Sequence, residues 1–355
     1  MDLIRPTDAV GAAEALADCS ASGRRAVVSG ARLHAGRAPA HDAGVVLDST
    51  GLAGIVSYDP AEMVAVVGSG TRVGELEEAL AEGGQEWAAD APADATVGGV
   101  LAAAVNSPRR LRVGPVRDSL LEVVIATGNG RLIRGGGRVV KNVTGYDLPR
   151  LMVGSLGTLG AITQVALKVR PLPKARRTLT FATDDPFLLG ERLLQAVPSP
   201  AAVIASPGRV RLHLEGWPAE VEAQTQAASR VAQPELSSDG QPLAPEGSWV
   251  SSPHRIEAGV APSRLPELAA DAGSDWAALL GVGLLWAGFD LPQDAGSAFA
   301  LARALGGCAF ATSETEKTSE TPETTPPLPA PTIHARLKRT FDPAGVLPSL
   351  PGASA

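Results

Sequence analysis

The segment that most constrains this chain is rich in glycine and runs from Gly135 to Thr163, GGGRVVKNVTGYDLPRLMVGSLGTLGAIT. Glycines at 145, 154, 157 and 160 stand near the small residues Ser155 and Thr158, so the backbone carries little side-chain bulk there. Such backbone lets amide N–H groups approach a ligand closely, as a dinucleotide pyrophosphate or a flavin ring edge requires. A glycine-rich turn between a helix and a strand explains the same composition equally well.

Two further segments combine small residues with backbone that a ligand can approach. Ala95–Gly99 precedes an alanine-rich stretch, Val100–Val105, predicted as a helix whose free N–H groups would face an anion. Ser29–His34 is predicted as a loop directly after a strand. Neither is a GxGxxG motif followed by a βαβ unit, which disfavours a Rossmann-type site.

Local patterns predict an α+β fold. Ala9–Ala17 has helical apolar spacing and Gly23 ends the segment, after which Ala26–Ser29 is predicted as a strand. Thr71 is predicted to cap a helix that buries Val73, Leu76 and Leu80. Helices and strands follow one another without strict βαβ alternation, which is typical of an α+β domain rather than a doubly wound sheet.

Length and proline placement predict at least two domains. The chain has 355 residues, more than one domain usually holds, and Pro171 and Pro173 break it, so we predict domains at 1–172 and 173–311. Residues 312–331 are polar, acidic and proline-containing, as is typical of a flexible linker. Residues 332–355 are predicted to form a short helix, Ile333–Phe341, and a tail.

Composition excludes several classes of protein. The formal net charge is -7 and no long run of lysine and arginine occurs, which argues against nucleic acid as a partner. Two cysteines without a CxxC motif favour a reducing compartment, and the N-terminus lacks the apolar stretch of a signal peptide. Trp276–Phe289, the longest apolar run, is too short to span a bilayer and is predicted as one buried strand. We therefore expect a cytoplasmic protein.

Three loops carry a resemblance to a known family: SGARL near residue 30, ATVGG near 97 and KNVTGYDLPRLMVGSLGTLGAIT from 141. Together they resemble the PCMH-type FAD-binding domain of the vanillyl-alcohol oxidase superfamily. Within it, VVKNVTGYDL and LKRTFDPAGVL are similar to the glycolate oxidase E subunit family and its D-2-hydroxyacid dehydrogenase relatives. The resemblance covers residues 3–172 and 328–347. It implies a two-subdomain FAD-binding domain, a small α+β cap domain and a C-terminal helix that returns to the FAD domain.

The resemblance also implies a non-covalent FAD. Residues 30–33 and 96–99 would cradle its pyrophosphate and one flavin edge, and 154–162 would line the adenine, ribityl chain and ring face. Three residues of the third loop would stand near the flavin or orient that loop. The predicted cofactor-binding residues are Gly30, Ala31, Arg32, Leu33, Thr96, Val97, Gly98, Gly99, Asn142, Tyr146, Asp147, Gly154, Ser155, Gly157, Thr158, Leu159, Gly160 and Ile162.

The first loop departs from the family pattern, which is a run of glycines. Ala31 and Arg32 stand there instead, and a non-glycine residue at positive φ costs about 1 kcal/mol or more. Arg32 would offset this cost if its side chain contacted a phosphate. Some relatives attach the flavin covalently through a histidine, but His34 lies one position away from that register, so we expect non-covalent binding.

A catalytic site for a hydroxy acid is not evident in the predicted cap. Catalytic relatives would hold a metal with clustered histidine and glutamate, whereas His213, His254 and His334 are scattered here. His213 and Glu215 would lie on the same face of a strand. They would either bind a metal or, more simply, face the solvent. The sequence nominates neither a base near pKa 7 nor a cation for the substrate carboxylate. We therefore predict no metal site.

Three functional hypotheses remain. The first is an FAD-binding subunit of a 2-hydroxyacid oxidoreductase that oxidises glycolate or D-lactate. It would support electron transfer with a homologous catalytic flavin subunit and an iron–sulfur subunit, and any peripheral membrane association would come through those partners. The second is a self-sufficient FAD-dependent alcohol or 2-hydroxyacid dehydrogenase. The third is a non-catalytic scaffold subunit with weak FAD binding.

Overall fold

The structure is a computed structural model that describes residues 1–33, 42–138, 147–243, 247–312 and 331–350. It divides the chain into two units. The first comprises Met1–Asn106, Pro115–Leu172 and Pro327–Ala355, and the second comprises Ser107–Gly114 and Pro173–Pro326. The predicted linker, apart from its end residues 312 and 331, lies outside the described residues.

The helices are distributed over both units. In chain order they are α1 (Ala9–Ser22), α2 (Val73–Glu82), α3 (Val97–Ala102), α4 (Arg110–Val113), α5 (Leu148–Met152), α6 (Pro186–Ala196), α7 (Pro218–Val231), α8 (Leu265–Asp271), α9 (Pro292–Ala304) and α10 (Pro331–Phe341). Helices α4 and α6 to α9 belong to the second unit, and the others belong to the first. No helix in the described part of the chain is both long and apolar enough to cross a membrane.

The first unit contains a parallel and an antiparallel sheet, which makes it an α+β structure. Its strands are β1 (Asp2–Ile4), β2 (Ala26–Ser29), β3 (Val45–Asp48), β4 (Ile55–Asp59), β5 (Val64–Gly68), β6 (Gln85–Glu86), β7 (Leu120–Ala126), β8 (Leu132–Gly136), β9 (Ala161–Lys168) and β10 (Arg170–Pro171). The parallel sheet has the order β1-β3-β2 and the antiparallel sheet the order β4-β5-β9-β7-β8, while β6 pairs with β10. The unit has two apolar cores, which define its first subdomain (around the parallel sheet) and its second (around the antiparallel sheet), and Ala126 and Ala161 of the antiparallel sheet join the first core.

Helix α1 shows how the sequence specifies local structure in the first subdomain. The Asp8 side chain accepts a hydrogen bond from the Gly11 amide at the start of the helix, and Gly23 ends it in a left-handed conformation with φ of 67°. The predicted helix end at Gly23 is thus confirmed. The predicted cap of α2 is wrong, because Arg72 holds the cap position and the Thr71 hydroxyl is bonded instead to the Gly54 amide at 2.9 Å.

The buried Lys338 of α10 holds the C-terminal segment within the first unit. Its three N–H groups are shared among four oxygens: the Thr158 carbonyl at 2.8 Å, the Asp342 carboxylate at 2.6 Å, and the carbonyls of Leu347 and Pro348, both at 2.9 Å. Burial lowers the pKa of Lys338 below its usual range, and the hydrogen bond to Asp342 opposes that shift. The ammonium therefore neutralises the buried Asp342 carboxylate and gives a hydrogen-bond donor to carbonyl oxygens of the third loop and the C-terminal segment.

We expect Lys338→Met to lower the free energy of unfolding by about 3 kcal/mol, because it leaves the buried Asp342 carboxylate without its cation. Equilibrium urea unfolding would measure the change. Arg339→Met is the matched control, since Arg339 is exposed on the same helix and should cost less than about 0.5 kcal/mol. Equal effects from the two variants would show that the Lys338 hydrogen bonds contribute little.

The second unit is built around one antiparallel sheet that consists of two similar halves. Its strands are β11 (Ala175–Ala182), β12 (Ala202–Ser206), β13 (Arg209–Gly216), β14 (Leu236–Asp239), β15 (His254–Gly259), β16 (Trp276–Leu279), β17 (Leu284–Phe289) and β18 (Cys308–Ala311). The sheet order is β14-β11-β13-β12-β16-β17-β15-β18. Each half has the chain order βαββαβ, and the halves join where β12 pairs with β16.

The apolar run Trp276–Phe289 forms two strands, so the prediction of one strand is wrong. Strands β16 and β17 pair as an antiparallel hairpin, with residues 280–283 as the turn. Gly281 and Gly283 adopt φ of 76° and 87°, which other residues adopt only with strain. The glycines therefore reverse the chain inside a run that hydrophobicity alone marks as continuous.

Candidate functional site

Two of the three predicted cofactor loops meet at the start of helix α3. Gly30 follows strand β2, and a Cβ atom built on it would collide with Oγ1 of Thr96. The Ser49 hydroxyl donates to the Ser29 carbonyl at 3.1 Å and holds the end of β2. Glycine is therefore required at position 30 for close packing of the first loop on the second.

Helix α3 begins three residues earlier than predicted, and its first amides are already bonded. Thr96 caps the helix by accepting from the Gly99 amide at 3.2 Å. The Val97 amide donates to the Thr71 carbonyl at 3.0 Å and the Gly98 amide to the Ser69 carbonyl at 2.7 Å. The expectation that this helix presents free N–H groups to an anion is therefore wrong, because neighbouring protein oxygens accept them.

The third loop packs against the carboxyl end of the same helix. The Gly154 amide donates to the Leu101 carbonyl and the Leu156 amide to the Ala102 carbonyl, both at 3.0 Å. Gly154, Leu156 and Gly157 all adopt positive φ, at 82°, 53° and 71°. A turn of this shape needs glycine for conformational reasons, so turn geometry explains part of the glycine content.

The first loop contains the strained residue that the sequence predicted. Arg32 adopts φ of 65°, and its exposed side chain points its Nε toward the Ser29 hydroxyl at 3.4 Å. Ala31 is not among the positive-φ residues, and Leu33 packs on the core of the second subdomain. The backbone at Arg32 thus stores strain of about 1–2 kcal/mol.

The remaining predicted residues occupy varied positions. Val97 and Ile162 are buried in the apolar core, and Gly160 approaches the Ala126 carbonyl so closely that an added Cβ would lie 2.9 Å from it. Asp147 caps α5 by accepting from the Arg150 amide at 3.0 Å. Predicted residues Asn142 and Tyr146, and His34, lie outside the described residues.

A cavity of about 150 Å³ lies within the first unit, between the third loop and helix α10. Its lining includes predicted residues Gly154, Ser155, Thr158 and Leu159. The other lining residues, which the sequence analysis missed, are Leu151, Val153, His334, Leu337, Lys338 and Leu350. The spacing of His334, Leu337 and Lys338 at i, i+3 and i+4 identifies one helix face, but not what that face contacts.

Two buried hydroxyl groups beside these loops have no hydrogen-bond partner among the described residues. They belong to Ser69 and Ser155, which are 1% and 5% exposed. Ser155 lines the cavity, and Ser69 lies next to Gly98, where an added Cβ would lie 2.8 Å from the Ser69 Cβ. Buried hydroxyls are normally paired, and a cavity of this volume accommodates one aromatic ring. The two unpaired hydroxyls therefore fit a ligand that offers polar atoms, as FAD does, although the cavity itself is smaller than that cofactor.

The second unit contains a buried charged cluster on strand β13. His213 and Glu215 are both 0% exposed, so the alternative of a strand face in solvent is wrong. The Glu215 carboxylate accepts from Arg109 Nη1 at 2.9 Å and from Arg176 Nε at 3.3 Å. Burial opposes ionisation, yet the hydrogen bond from His213 and the charge of Arg109 bring the pKa of Glu215 down to about 2. Glu215 is therefore ionised at neutral pH.

The same contacts make His213 and Glu215 poor metal ligands. His213 Nδ1 lies 2.8 Å from the Thr178 hydroxyl, and its Nε2 lies 3.4 Å from Glu215 Oε1. Among the residues that the structure describes, no group of three His, Cys, Asp or Glu is arranged to hold a metal ion. The side chains of His213 and Glu215 are thus both hydrogen-bonded to other protein groups.

Comparison with known proteins finds a family match for part of the chain. Residues 3–136 match the model of the FAD binding domain family. Glycolate oxidase subunit GlcE of Escherichia coli is 45% identical over 139 residues, 38% of this chain and 40% of that protein. Glycolate oxidase subunit GlcD of Bacillus subtilis is 33% identical over 153 residues, 42% of this chain and 32% of that protein. The matches thus span less than half of those relatives.

A likeness to a solved structure extends over both units. An alkyldihydroxyacetonephosphate synthase structure matches with a TM-score of 0.69 over 97% of this chain and 75% of its own, at 16% sequence identity. At that identity the likeness shows the fold alone.

A D-lactate dehydrogenase of Archaeoglobus fulgidus is 33% identical over 143 residues, 40% of this chain and 32% of that protein. The chain therefore contains an FAD binding domain, similar in sequence to segments of glycolate oxidase subunits and D-lactate dehydrogenases.

Proposed function

We propose that this chain is a non-covalent FAD-binding subunit of a 2-hydroxyacid oxidoreductase complex that oxidises glycolate or D-lactate. A homologous catalytic flavin subunit and an iron–sulfur subunit would be its partners, in the cytoplasm or at the inner face of the membrane through them. The observation that carries the proposal is the 45% identity of its FAD domain to a glycolate oxidase subunit. The engaged state of His213 and Glu215 supports it, because a self-sufficient dehydrogenase needs an available base.

In this proposal the residues of the first unit bind and orient the cofactor. Bound FAD would supply two-electron and one-electron transfer. The hydroxyls of Ser69 and Ser155 would hydrogen-bond to its polar groups, since both are buried and lack a described partner. Gly30 would keep the first two loops close together, and Arg32, which is exposed, would pair with a phosphate. Gly154 and Gly157, which have positive φ and no side chain, would leave room for the cofactor beside the third loop.

Two observations favour a scaffold with weak FAD binding as the second candidate. The first amides of α3 are bonded to protein oxygens, and Arg32 stands in a strained conformation where the family has glycine. The bonded amides leave fewer N–H groups available to a pyrophosphate, and the strain at Arg32 raises the cost of holding the first loop in this conformation. Weak binding would leave the purified chain without cofactor while the fold stays intact.

Purifying the chain alone and recording its absorbance near 450 nm distinguishes these functions. We expect a yellow protein that, with an artificial electron acceptor, oxidises glycolate and D-lactate no faster than free FAD, with or without added zinc or manganese. Activity should appear only when a catalytic partner subunit is added. Steady turnover by the chain alone, lost in His213→Ala, would establish a self-sufficient dehydrogenase. A colourless, folded protein that does not take up added FAD would establish a scaffold.

A further inference from the structure

The Glu215 side chain is surrounded by donors from three separate segments of the second unit. Arg109 Nη1 lies 2.9 Å from Oε1 and 3.2 Å from Oε2. Arg176 Nε and His213 Nε2 lie 3.3 Å and 3.4 Å from Oε1. Arg109 precedes α4, while Arg176 and His213 lie on the paired strands β11 and β13. Tertiary folding therefore brings two guanidinium groups and an imidazole to one carboxylate.

This set of donors is what a free carboxylate would require. Guanidinium groups bind carboxylates through charge-assisted hydrogen bonds, and a protonated imidazole nitrogen adds a further donor. The Thr178 hydroxyl lies 2.8 Å from the other ring nitrogen of His213 and can hold the tautomer whose Nε2 carries the proton. Because Glu215 is fully buried, its own carboxylate occupies the space between these donors.

We propose that the cluster formed by Arg109, Arg176 and His213 is a carboxylate-binding site that the chain fills with its own Glu215. While Glu215 is present, a small organic acid has no room there. When Glu215 is shortened, the site binds acetate or the hydroxy acid glycolate. The second unit would thus contain the donors that bind a small organic acid, with Glu215 occupying their binding site. This inference does not depend on FAD binding, because the site lies in the second unit and the readout is the unfolding of the chain, not flavin content.

Thermal unfolding of the full chain carrying Glu215→Ala tests the proposal. The substitution removes a CH₂–COO⁻ fragment, which acetate matches in size. We expect 100 mM sodium acetate or glycolate, compared with 100 mM sodium chloride, to raise the Tm of the variant by about 2 °C or more. The unchanged protein should shift by less than about 1 °C. If the variant folds poorly, refolding from urea should give a several-fold higher yield in acetate than in chloride.

Glu122→Ala is the matched control. Glu122 is also buried and ion-paired, but its partners Arg134 and Arg138 have side chains that are about half exposed and belong to the first unit. Its unfolding should be the same in acetate and in chloride. If acetate and glycolate stabilise Glu215→Ala no more than chloride does, in both unfolding and refolding yield, the cluster is a structural ion pair and the proposal is wrong. Equal stabilisation of Glu122→Ala would overturn it as well.

Discussion

Arg109→Leu is expected to lower the free energy of unfolding of the second unit by about 3–5 kcal/mol, because it leaves the buried Glu215 carboxylate without its nearest cation. Four of the five tryptophans, at 217, 249, 276 and 286, lie in the second unit, so urea unfolding followed by tryptophan fluorescence reports mainly on that unit. Arg264→Leu is the control in the same unit, since Arg264 pairs with the half-exposed carboxylate of Glu267, and its loss should cost less than about 1 kcal/mol.

Repeating this measurement against pH tests the same ion pair. The folded-state pKa of Glu215 is about 2, below its ordinary value of 4.5. A lowered carboxyl pKa stabilises the folded state above pH 4.5, and this stabilisation is lost as the pH falls toward 2. A shift of this size corresponds to roughly 3 kcal/mol. The decrease in the free energy of unfolding between pH 4.5 and 2 should be smaller in Arg109→Leu than in the unchanged protein. If both proteins lose the same stability over this range, Arg109 does not control the ionisation of Glu215.

Gly157→Val is expected to weaken FAD binding at least about tenfold while the chain stays folded. Gly157 has φ of 71°, and a residue with a branched side chain adopts that conformation only at a cost of about 1–2 kcal/mol. The third loop would relieve this strain by changing shape, which displaces Ser155 and Thr158 from the cavity wall. Titration of the apoprotein with FAD, followed by the quenching of flavin fluorescence, gives the Kd.

Gly273→Val provides the comparison at equal backbone strain. Gly273 has φ of 69° and open space around its Cα, and it lies in the second unit. Both variants should lose similar stability, but only Gly157→Val should lose FAD. Full FAD stoichiometry in Gly157→Val would place the cofactor away from the third loop, and equal FAD loss in both variants would indicate general destabilisation.

The sequence predicted a large part of the first unit because its signals are local. Apolar residues at helical spacing and a glycine at the helix end act within a few residues of one another, and they predict α1 as far as Gly23. The strained conformation of Arg32 likewise follows from one residue that replaces a glycine. The cap at Thr71 was mispredicted, because a contact with Gly54, distant in sequence, competes for the same hydroxyl.

The cavity and the charged cluster were not predictable in the same way. His334 is 180 residues from Gly154, yet both line one cavity because Lys338 anchors α10 to the Thr158 carbonyl. The orphaned hydroxyl of Ser69 carries no sequence signal, since serine is common in turns and its burial depends on neighbouring strands.

The sequence by itself determined the α+β class and the glycine that ends α1, since propensity and capping are properties of short segments. Residues 3–136, which match an FAD binding domain, include the first two of the three predicted cofactor loops. Only the tertiary structure placed Ser107–Gly114 in the second unit and set Arg109 against Glu215, 106 residues away. It also decided that His213 and Glu215 are buried and partnered rather than solvated. Strand alternation assigns a side chain to one face of a sheet, but the distant segments that pack there decide whether that face contacts water.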